Sequence, residues 1–577
     1  MVRSKRIPTD SDPVDAPPAG VPPVHFERPV GPGHRRVGRP WVAAAWIAGC
    51  LALFAFYLRI SFTGYVTADG ANIALQAWDM LHGNVQLHGW YVSDVAFYTF
   101  DLPVLAVAEA FLGLGELTNH VASALTYLIV TVSAAALALT DSRGLARVAR
   151  CGVVVAVLTA MFPVESTVPY LLGAPDHTGT SAILLVSFLL IDRAPARCFT
   201  PPLLCAILCA GRIGDATIRY VAVPAIVLVC SYRAVAAWKA RTGDAACAVA
   251  AAVSVPLASA IRAVMRHFGA YQMVAPKTAI SPPWQWPHNA AVALHAVGVL
   301  FGVGTGSSSP SLARSAGYML GLACFVAAAA GFARVAMNWR TASRAEQLLC
   351  AAIVINISAY VISTVPAPGN PYEIAAVLPC GAVLAARAVV PGHIGGTLRA
   401  GLATGLIAIA ALLPLTAAAA QPAAAVPVAS LSAWLKAHGL SYGLAGYWDS
   451  SVITLQSGNQ VQVRAVTMYG SQVFRYDWET NTLWFDPSRH DATFVIIDLA
   501  GGGLSPSAES YFGKPVAIEH VAQWAILIYQ KNLLQQVAIA ATGPQWLVLP
   551  GAAAGPPSCP PSRSDSLLNT RRRQDLA

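Results

Sequence analysis

The stretch Gly64–Asp94, GYVTADGANIALQAWDMLHGNVQLHGWYVSD, comes directly after the first long apolar run of the chain. It contains three aspartates and two histidines but neither lysine nor arginine. The run before it, Trp41–Ile60, has the roughly 20 apolar residues that a helix needs to cross a bilayer. Lysine and arginine collect in cytoplasmic loops, so a loop without them after a first span indicates the outer side. The stretch therefore predicts a membrane protein whose first loop faces outward.

Composition supports a polytopic membrane protein along most of the chain. Of the 577 residues, 56% are hydrophobic and only 11% are charged, whereas a soluble domain carries about 25% charged residues. The net charge of +9 is concentrated in part before the first apolar run, where seven basic residues indicate a cytoplasmic tail rather than a nucleic-acid-binding surface. Ten of the eleven cysteines lie in or beside apolar segments and show no zinc-type spacing. We expect neither a disulfide nor a structural metal.

Apolar runs bounded by charge, proline or glycine predict a mainly α, polytopic helical bundle of about 11 to 13 spans. The candidate spans are residues 41–60, 120–139, 151–166, 178–191, 202–218, 219–231, 245–262, 316–333, 345–363, 373–390 and 399–417. The segment 99–115 carries Asp101 and Glu109, and we interpret it as an interfacial or re-entrant helix. With the N-terminus inside, eleven crossings place the basic clusters in the cytoplasm and residues after 418 outside.

Four regions follow from this pattern. Residues 1–40 are predicted to be a disordered basic cytoplasmic tail, and residues 41–418 a transmembrane domain whose first outer loop is 61–119. Residues 419–536 change to alternating polar and apolar positions, with short strands at ATFVIIDL and VAQWAILIYQ, and predict a small extracytoplasmic α/β domain. Residues 537–577 are rich in proline and serine and are predicted to be a disordered tail.

Asp69 has two interpretations. The segment ANIALQAWDMLHGN places Leu75, Trp78 and Leu81 on one helical face and predicts a helix lying along the membrane surface. Asp69 then stands at the start of this helix, where its side chain could cap the first turn. Alternatively, the carboxylate is a general base that takes a proton from an acceptor hydroxyl near the headgroup plane.

An acidic residue after the first span, followed by a surface helix ending in MLHG, resembles the GT-C class of membrane glycosyltransferases. The late segment GNPYEIAAVLPCGAVLAARA is similar to a late helix of that class. The strings GNVQLHGWYVSDVAFYTFDLP, GAPDHTGT and GYWDSSVITLQSGNQVQVRAV resemble those of an actinobacterial membrane-protein family within it. The resemblance covers the membrane region together with a C-terminal extracytoplasmic domain.

The resemblance implies an enzyme of the bacterial plasma membrane, in the EC 2.4 group. Such enzymes move a sugar from a polyprenyl-phosphate donor to an envelope glycan or protein acceptor on the outer face, with a loop aspartate as base and basic residues on the lipid phosphate. By this resemblance Asp69 is the first candidate for the base. A transporter or flippase for a lipid-linked substrate, and a non-catalytic envelope scaffold, stay open as alternatives.

Further candidate residues lie in the first and in later predicted outer loops. The catalytic candidates besides Asp69 are Asp94, Asp176 and His177, although Asp176 and His177 stand at a helix start and could instead cap it. The first loop has no cation for a phosphate, so the candidates come from later loops, with Arg219 favoured and Asp215 as its structural partner. The phosphate-binding candidates are Arg212, Arg219, Arg262, Arg266 and Lys277, and the sugar-binding candidates are Trp90, Tyr91, Tyr372 and Glu373. Oxygen ligands of this kind suit Mg²⁺ or Mn²⁺, and the metal is left open.

Overall fold

The computed structural model describes residues 40–162, 171–172, 177–194, 197–236, 242–274, 278–303, 312–367, 371–394, 398–501 and 504–539. The predicted basic tail before residue 40, the predicted tail from residue 540, and the candidates Asp176 and Lys277 lie outside these ranges. Residues 40–49 are helical and almost all exposed, and a second compact unit begins at Cys50.

Helices dominate the described residues. In chain order they are α1 (Pro40–Ser61), α2 (Ala68–Leu81), α3 (Asp101–Leu112), α4 (Glu116–Ala138), α5 (Leu145–Thr159), α6 (Thr178–Arg193), α7 (Thr200–Gly214), α8 (Thr217–Tyr220), α9 (Ala222–Ala236), α10 (Thr242–His267), α11 (Trp286–Leu300), α12 (Leu312–Met337), α13 (Arg344–Ile362), α14 (Val377–Val389), α15 (Leu398–Ala419), α16 (Ala429–Ala437), α17 (Tyr447–Gln456) and α18 (Ala508–Phe512). Helix occurs at each of the eleven predicted spans. Within the described ranges, seven helical segments are long and apolar enough to cross a bilayer: Pro40–Ser61, Glu116–Ala138, Thr217–Ala236, Gly243–His267, Ser315–Met337, Arg344–Ile362 and Gly401–Ala419. The chain is a multi-pass membrane protein.

Residues 61–119, the predicted first outer loop, contain α2 and α3. At 1.5 Å per residue, the 12 residues of α3 reach about 18 Å, too short for a 30 Å hydrocarbon core. In α2, every residue from Ala71 to Ala77 is buried, so burial is not confined to the face of Leu75, Trp78 and Leu81. Helix α2 packs against α3, α4 and α17, so protein covers it on several sides.

A helix, α11, lies between the predicted spans that end at residue 262 and begin at residue 316, and the sequence interpretation did not predict it. Pro287 stands in the first turn of α11. Proline is well tolerated there, because the first backbone N–H groups of a helix have no intrahelical partner. The following residues, NAAVALHAVGVL, continue the helix to Leu300.

The C-terminal region builds a small sheet, as predicted, with one element misassigned. The strands of the chain are β1 (Trp90–Val92), β2 (Gln272–Met273), β3 (Tyr442–Ala445), β4 (Gln462–Tyr469), β5 (Gln472–Arg475), β6 (Thr480–Asn481), β7 (Phe494–Asp498), β8 (Ala517–Val521) and β9 (Trp524–Ile528). Six of them form one sheet in the order β5-β4-β3-β7-β9-β8. Helix α17 lies between β3 and β4 and crosses over between these two parallel strands, and the sequence interpretation did not predict it.

A second, three-stranded sheet in the order β2-β1-β6 joins three distant parts of the chain. Strand β1 comes from the first outer loop, β2 follows α10, and β6 belongs to the C-terminal region. Trp90 pairs with Asn481 on one side, and Tyr91 pairs with Gln272 on the other. One hydrophobic cluster also contains residues of the first loop and of the C-terminal region, including Trp90 and Trp524. The two parts therefore share a core.

Candidate active site

An arginine-lined cavity of about 270 Å³ lies beside the three-stranded sheet. Its lining includes Asp94 from the segment after β1, Arg212 from the last turn of α7, and Arg262 and Arg266 from the end of α10. Tyr220, Met265, Tyr271 and Met273 add aromatic and thioether surface. Because three cations and one carboxylate face a single space, the cavity suits an anion next to a group that can accept a proton.

Backbone pairing fixes the segment that carries Asp94 against the end of α7. Val95 and Asp215 form an antiparallel bridge, and the Phe97 N–H donates to the Gly214 carbonyl at 3.0 Å. A Cβ at Gly214 would lie 2.6 Å from Thr99 Oγ1, so glycine permits this close approach. The carboxylate of Asp94 and the guanidinium of Arg212 are thereby held at the same cavity by rigid backbone.

Arg212 is half-buried, and its Nε and Nη1 atoms have no hydrogen-bond partner among the described residues. Arg262 and Arg219 are near enough to oppose its positive charge. An unpaired buried cation among like charges is unfavourable, and an anion between the guanidinium groups would relieve it. The arrangement is therefore that of an anion-binding site.

His177 connects the carboxylates on one side of the site. Its Nδ1 lies 2.6 Å from Asp215 Oδ2, and its Nε2 lies 3.6 Å from Glu373 Oε2. Burial lowers the pKa of His177, but Asp215 and Glu373 outweigh that effect and hold the pKa well above its usual value. The prediction that the His177 side chain caps α6 is wrong: His177 occupies the N-cap position, but its side chain makes no capping hydrogen bond.

Asp215 is the most strongly fixed carboxylate. Burial raises its pKa, but His177, the Thr180 hydroxyl and the Thr217 backbone N–H together lower it to about 2. The Thr217 N–H donates to Oδ1 at 2.7 Å, and Thr180 donates to Oδ2. Asp215 therefore pairs with His177, and the expected pairing with Arg219 is not formed. Arg219 is exposed, with its guanidinium 5.6 Å from the centre of the Tyr220 ring.

Asp94 is an acid of this group whose pKa lies just below neutral pH. Desolvation raises its pKa, Glu373 and Asp215 raise it further, His177 opposes them, and the result is about 6. The carboxylate is thus mostly ionised at pH 7 yet basic enough to accept a proton, which is the property that a general base requires.

Asp101 extends the acidic group formed by Asp94, Asp215 and Glu373. In the sequence it directly follows the aromatic segment VAFYTF. Its carboxylate is buried against Gly179, where a Cβ would come within 2.6 Å of Oδ1. Burial, followed by the nearby Asp215, raises the pKa of Asp101 to about 8, so this acid is protonated at pH 7. It contributes little negative charge to the site at neutral pH.

Asp69 lies in a different cluster. The Tyr447 hydroxyl donates to Asp69 Oδ1 and lies 3.2 Å from Glu479 Oε2. Burial raises the pKa of Asp69, and the hydrogen bond from Tyr447 lowers it in part. The capping interpretation is wrong, because Thr67 is the N-cap of α2 and accepts from the Gly70 N–H at 3.3 Å.

The remaining candidates are placed as follows. Trp90 is fully buried and donates its indole N–H to Asp79 at 2.7 Å, which makes it a core residue. Tyr91 is half-buried, with Arg475 5.8 Å from its ring centre. Tyr372 belongs with Glu373 to the short turn of helix before α14. In the described part of the chain, no group of three or more His, Cys, Asp or Glu side chains is placed to hold a metal ion.

The sequence did not identify Tyr447 and Glu479 as partners of Asp69. Glu479 has a left-handed backbone at φ 47° and is buried, two features that a sequence does not display. Tyr447 lies in GYWDSS, a string quoted for its resemblance but interpreted as a turn. The contact spans 378 residues of sequence, and only the tertiary fold reveals it.

This fold, with its membrane helices, first-loop helices and C-terminal sheet, is similar to that of solved membrane-protein structures. The solved structure of ArnT from Cupriavidus metallidurans, bound to undecaprenyl phosphate, is 12% identical over 85% of this chain and 98% of that chain, with a TM-score of 0.50. The oligosaccharyltransferase AglB from Archaeoglobus fulgidus, in complex with an inhibitory peptide and a dolichol-phosphate, is 10% identical over 80% of this chain and 70% of that chain, with a TM-score of 0.43. No protein-family model matches the chain, and no curated protein matches its sequence.

Proposed function

We propose that this chain is a membrane glycosyltransferase that takes a sugar from a polyprenyl-phosphate carrier and transfers it to an envelope acceptor on the outer face of the membrane. The observation that carries the proposal is the cavity in which Arg212, Arg262 and Arg266 meet Asp94. A phosphate bound between guanidinium groups and a carboxylate of intermediate basicity are the two groups that such a transfer needs. The fold shared with ArnT, whose structure contains undecaprenyl phosphate, adds support.

In the proposed reaction the acceptor hydroxyl attacks the anomeric carbon of the sugar. The new carbon–oxygen bond forms as the bond from that carbon to the carrier phosphate breaks, and the hydroxyl proton passes to Asp94. The departing phosphate gains one negative charge, which the arginines stabilise more strongly than the singly charged donor.

We favour Asp94 over Asp69 as the base. Asp94 lines the arginine cavity, whereas Asp69 accepts a hydrogen bond from Tyr447, and no cation is among the groups that shift its pKa. A base must lie within hydrogen-bond reach of the proton that it removes, and the transferred sugar stays near the carrier phosphate. Asp69 then holds the first outer loop to the C-terminal region.

The deciding experiment compares Asp94→Asn and Asp69→Asn. Each purified variant is added to membranes of a strain lacking the gene, and the restored envelope glycan is quantified by mass spectrometry of released sugars. Undecaprenyl phosphate binding is measured on the same preparations. We expect Asp94→Asn to bind the lipid like the wild type but to restore no glycan, and Asp69→Asn to retain part of the activity. Full activity of Asp94→Asn would remove it as the base.

The same assay separates the alternative functions. If the wild type binds undecaprenyl phosphate and moves it between leaflets of a vesicle but restores no glycan through chemistry of its own, the flippase alternative is favoured. If the wild type does not bind undecaprenyl phosphate at all, the scaffold alternative is favoured. The cytoplasmic N-terminus and the extracytoplasmic C-terminal region are part of the proposal, and protease protection of terminal tags in oriented membranes tests them. Restoration assays with EDTA, Mg²⁺ or Mn²⁺ test the divalent cation.

A further inference from the structure

His177 is held between two carboxylates in a way that fixes both its position and its charge. Nδ1 faces Asp215 at 2.6 Å and Nε2 faces Glu373 at 3.6 Å. Both partners are hydrogen-bond acceptors, and a neutral imidazole has only one N–H to offer. The doubly protonated, positively charged ring satisfies both contacts, so the geometry by itself favours imidazolium.

The surrounding bonds leave the ring little freedom. His177 has a left-handed backbone at φ 52° directly before α6. Asp215 is fixed independently of His177 by the Thr180 hydroxyl and the Thr217 N–H. The Thr217 hydroxyl also lies 3.3 Å from Nδ1. A conformation that costs energy for a non-glycine residue is therefore supported on several sides, which is typical of residues positioned for function.

Asp94 lies beside this group, because its neighbour Val95 forms an antiparallel backbone bridge with Asp215. Glu373 and Asp215 disfavour the ionised carboxylate, and His177 favours it. Asp101 is also near, but it is protonated at pH 7. On the cavity side, Asp94 faces Arg212, Arg262 and Arg266. At neutral pH two nearby acids, Asp215 and Glu373, thus disfavour ionisation of Asp94. His177 is hydrogen-bonded to Asp215 and forms an ion pair with Glu373.

We propose that His177, held between Asp215 and Glu373, is a positioning residue whose positive charge keeps Asp94 ionised and able to act as the base. The inference rests on the proposed function for the role of Asp94, but the coupling between the two side chains can be measured without any transfer reaction. Removal of His177 leaves Asp94 beside two uncompensated carboxylates. Removal of the Glu373 charge has the opposite effect, because it takes away a group that disfavours ionisation.

Carbodiimide labelling of purified protein measures this coupling directly, since the reagent attacks the protonated carboxyl group. Peptide mass spectrometry then gives the pH at which labelling of Asp94 is half-maximal, with the wild type expected near pH 6. A charge within about 4–6 Å of a carboxyl group shifts its pKa by about 1 unit or more. We expect His177→Gln to raise the midpoint by about one pH unit and Glu373→Gln to lower it. His438→Gln, on an exposed residue, is the matched control and should leave it unchanged.

Opposite shifts in the two variants distinguish this role from a merely structural one, which would move both midpoints in the same direction or neither. In the glycan-restoration assay, His177→Gln should move the acidic limb of the pH profile upward by the same amount. An unchanged Asp94 midpoint in a folded His177→Gln protein would overturn the proposal. If His177→Gln does not fold, the Glu373→Gln variant decides instead. A labelling midpoint of Asp94 that is not lowered in Glu373→Gln would overturn the proposal. Opposite labelling shifts in a protein that transfers no sugar would refute the proposed function and leave the charge coupling intact.

Discussion

Replacing Arg212 tests the anion site most directly, because its half-buried guanidinium lines the cavity and its Nε and Nη1 atoms have no partner among the described residues. A phosphate in the cavity would accept a charge-assisted hydrogen bond from the guanidinium, and such a bond contributes about 1.5–3 kcal/mol. Arg212→Gln removes the charge and the bond, a loss of up to about 3 kcal/mol, which is roughly 100-fold in affinity. Arg212→Lys keeps the charge but not the fork, and we expect a loss of about tenfold.

The assay is a titration of the purified protein in detergent with undecaprenyl phosphate, followed by native mass spectrometry. Arg340→Gln, on an exposed arginine remote from the cavity lining, is the control and should bind like the wild type. Arg219→Gln tests the sequence prediction that Arg219 is the favoured phosphate-binding residue. Because Arg219 is exposed, we expect this variant to lose less than threefold in affinity for undecaprenyl phosphate. Binding of Arg212→Gln within about twofold of the wild type would refute the assignment of the cavity to the carrier phosphate.

Three further outcomes follow from named contacts. Glycan restoration should fall about tenfold per pH unit below pH 6, since a base acts only when ionised and the pKa of Asp94 is about 6; a rate independent of pH between 4.5 and 7 would contradict this. Gly443→Ala should lower the thermal melting temperature by an amount corresponding to about 1–3 kcal/mol, because its Cβ would overlap the Phe494 ring, while Gly115→Ala, with open space, should not. Tyr447→Phe removes the hydrogen bond to Asp69 and should lower the melting temperature without changing lipid affinity.

The helical framework could be predicted from the sequence, because long apolar runs indicate membrane helices regardless of which other parts of the chain they contact. Two helices, α11 and α17, were not predicted, because their residues have local conformational preferences that conflict. In α11 the prolines before and within the first turn suggested a loop, although proline is tolerated at a helix start. In α17 the sequence YWDSSVITLQ mixes aromatic and β-branched residues with serines and has no clear helical period. Packing of α17 against α2 and β4 decides its conformation.

The candidate site was predicted in part, because the charges of the loops indicate which residues share a side of the membrane but not how far apart they lie. Placing Asp94, His177 and Glu373 on the same side of the membrane required only the distribution of lysine and arginine, and the structure brings these three together. The choice of Asp69 over Asp94 as the leading base rested on resemblance and position along the chain. Distances between loops decide which acid faces the arginines, and those depend on backbone pairing such as Val95 with Asp215.

The β2-β1-β6 sheet links the C-terminal region to the segment that carries Asp94, the proposed base, and a pair of glycine variants tests that link. Gly89 precedes β1 at φ 81°, and a Cβ there would lie 2.6 Å from Asn481 Oδ1 in β6. Gly83 has a similar backbone, at φ 100°, but a Cβ there would meet open space. Both alanine variants carry the same kind of backbone strain, of order 1–3 kcal/mol, and only Gly89→Ala also pushes β1 away from β6.

Asp94 follows β1 by two residues, so a shift of the strand moves the carboxylate relative to the arginines. A displacement of about 1 Å can lower a rate about 100-fold. We expect Gly89→Ala to lose at least tenfold more glycan restoration than Gly83→Ala at saturating carrier lipid. Affinity for undecaprenyl phosphate should stay within about threefold, because Arg212 is held by α7 and Arg262 by α10 rather than by β1. Equal activity of the two variants would mean that pairing of the C-terminal region with β1 does not set the position of Asp94.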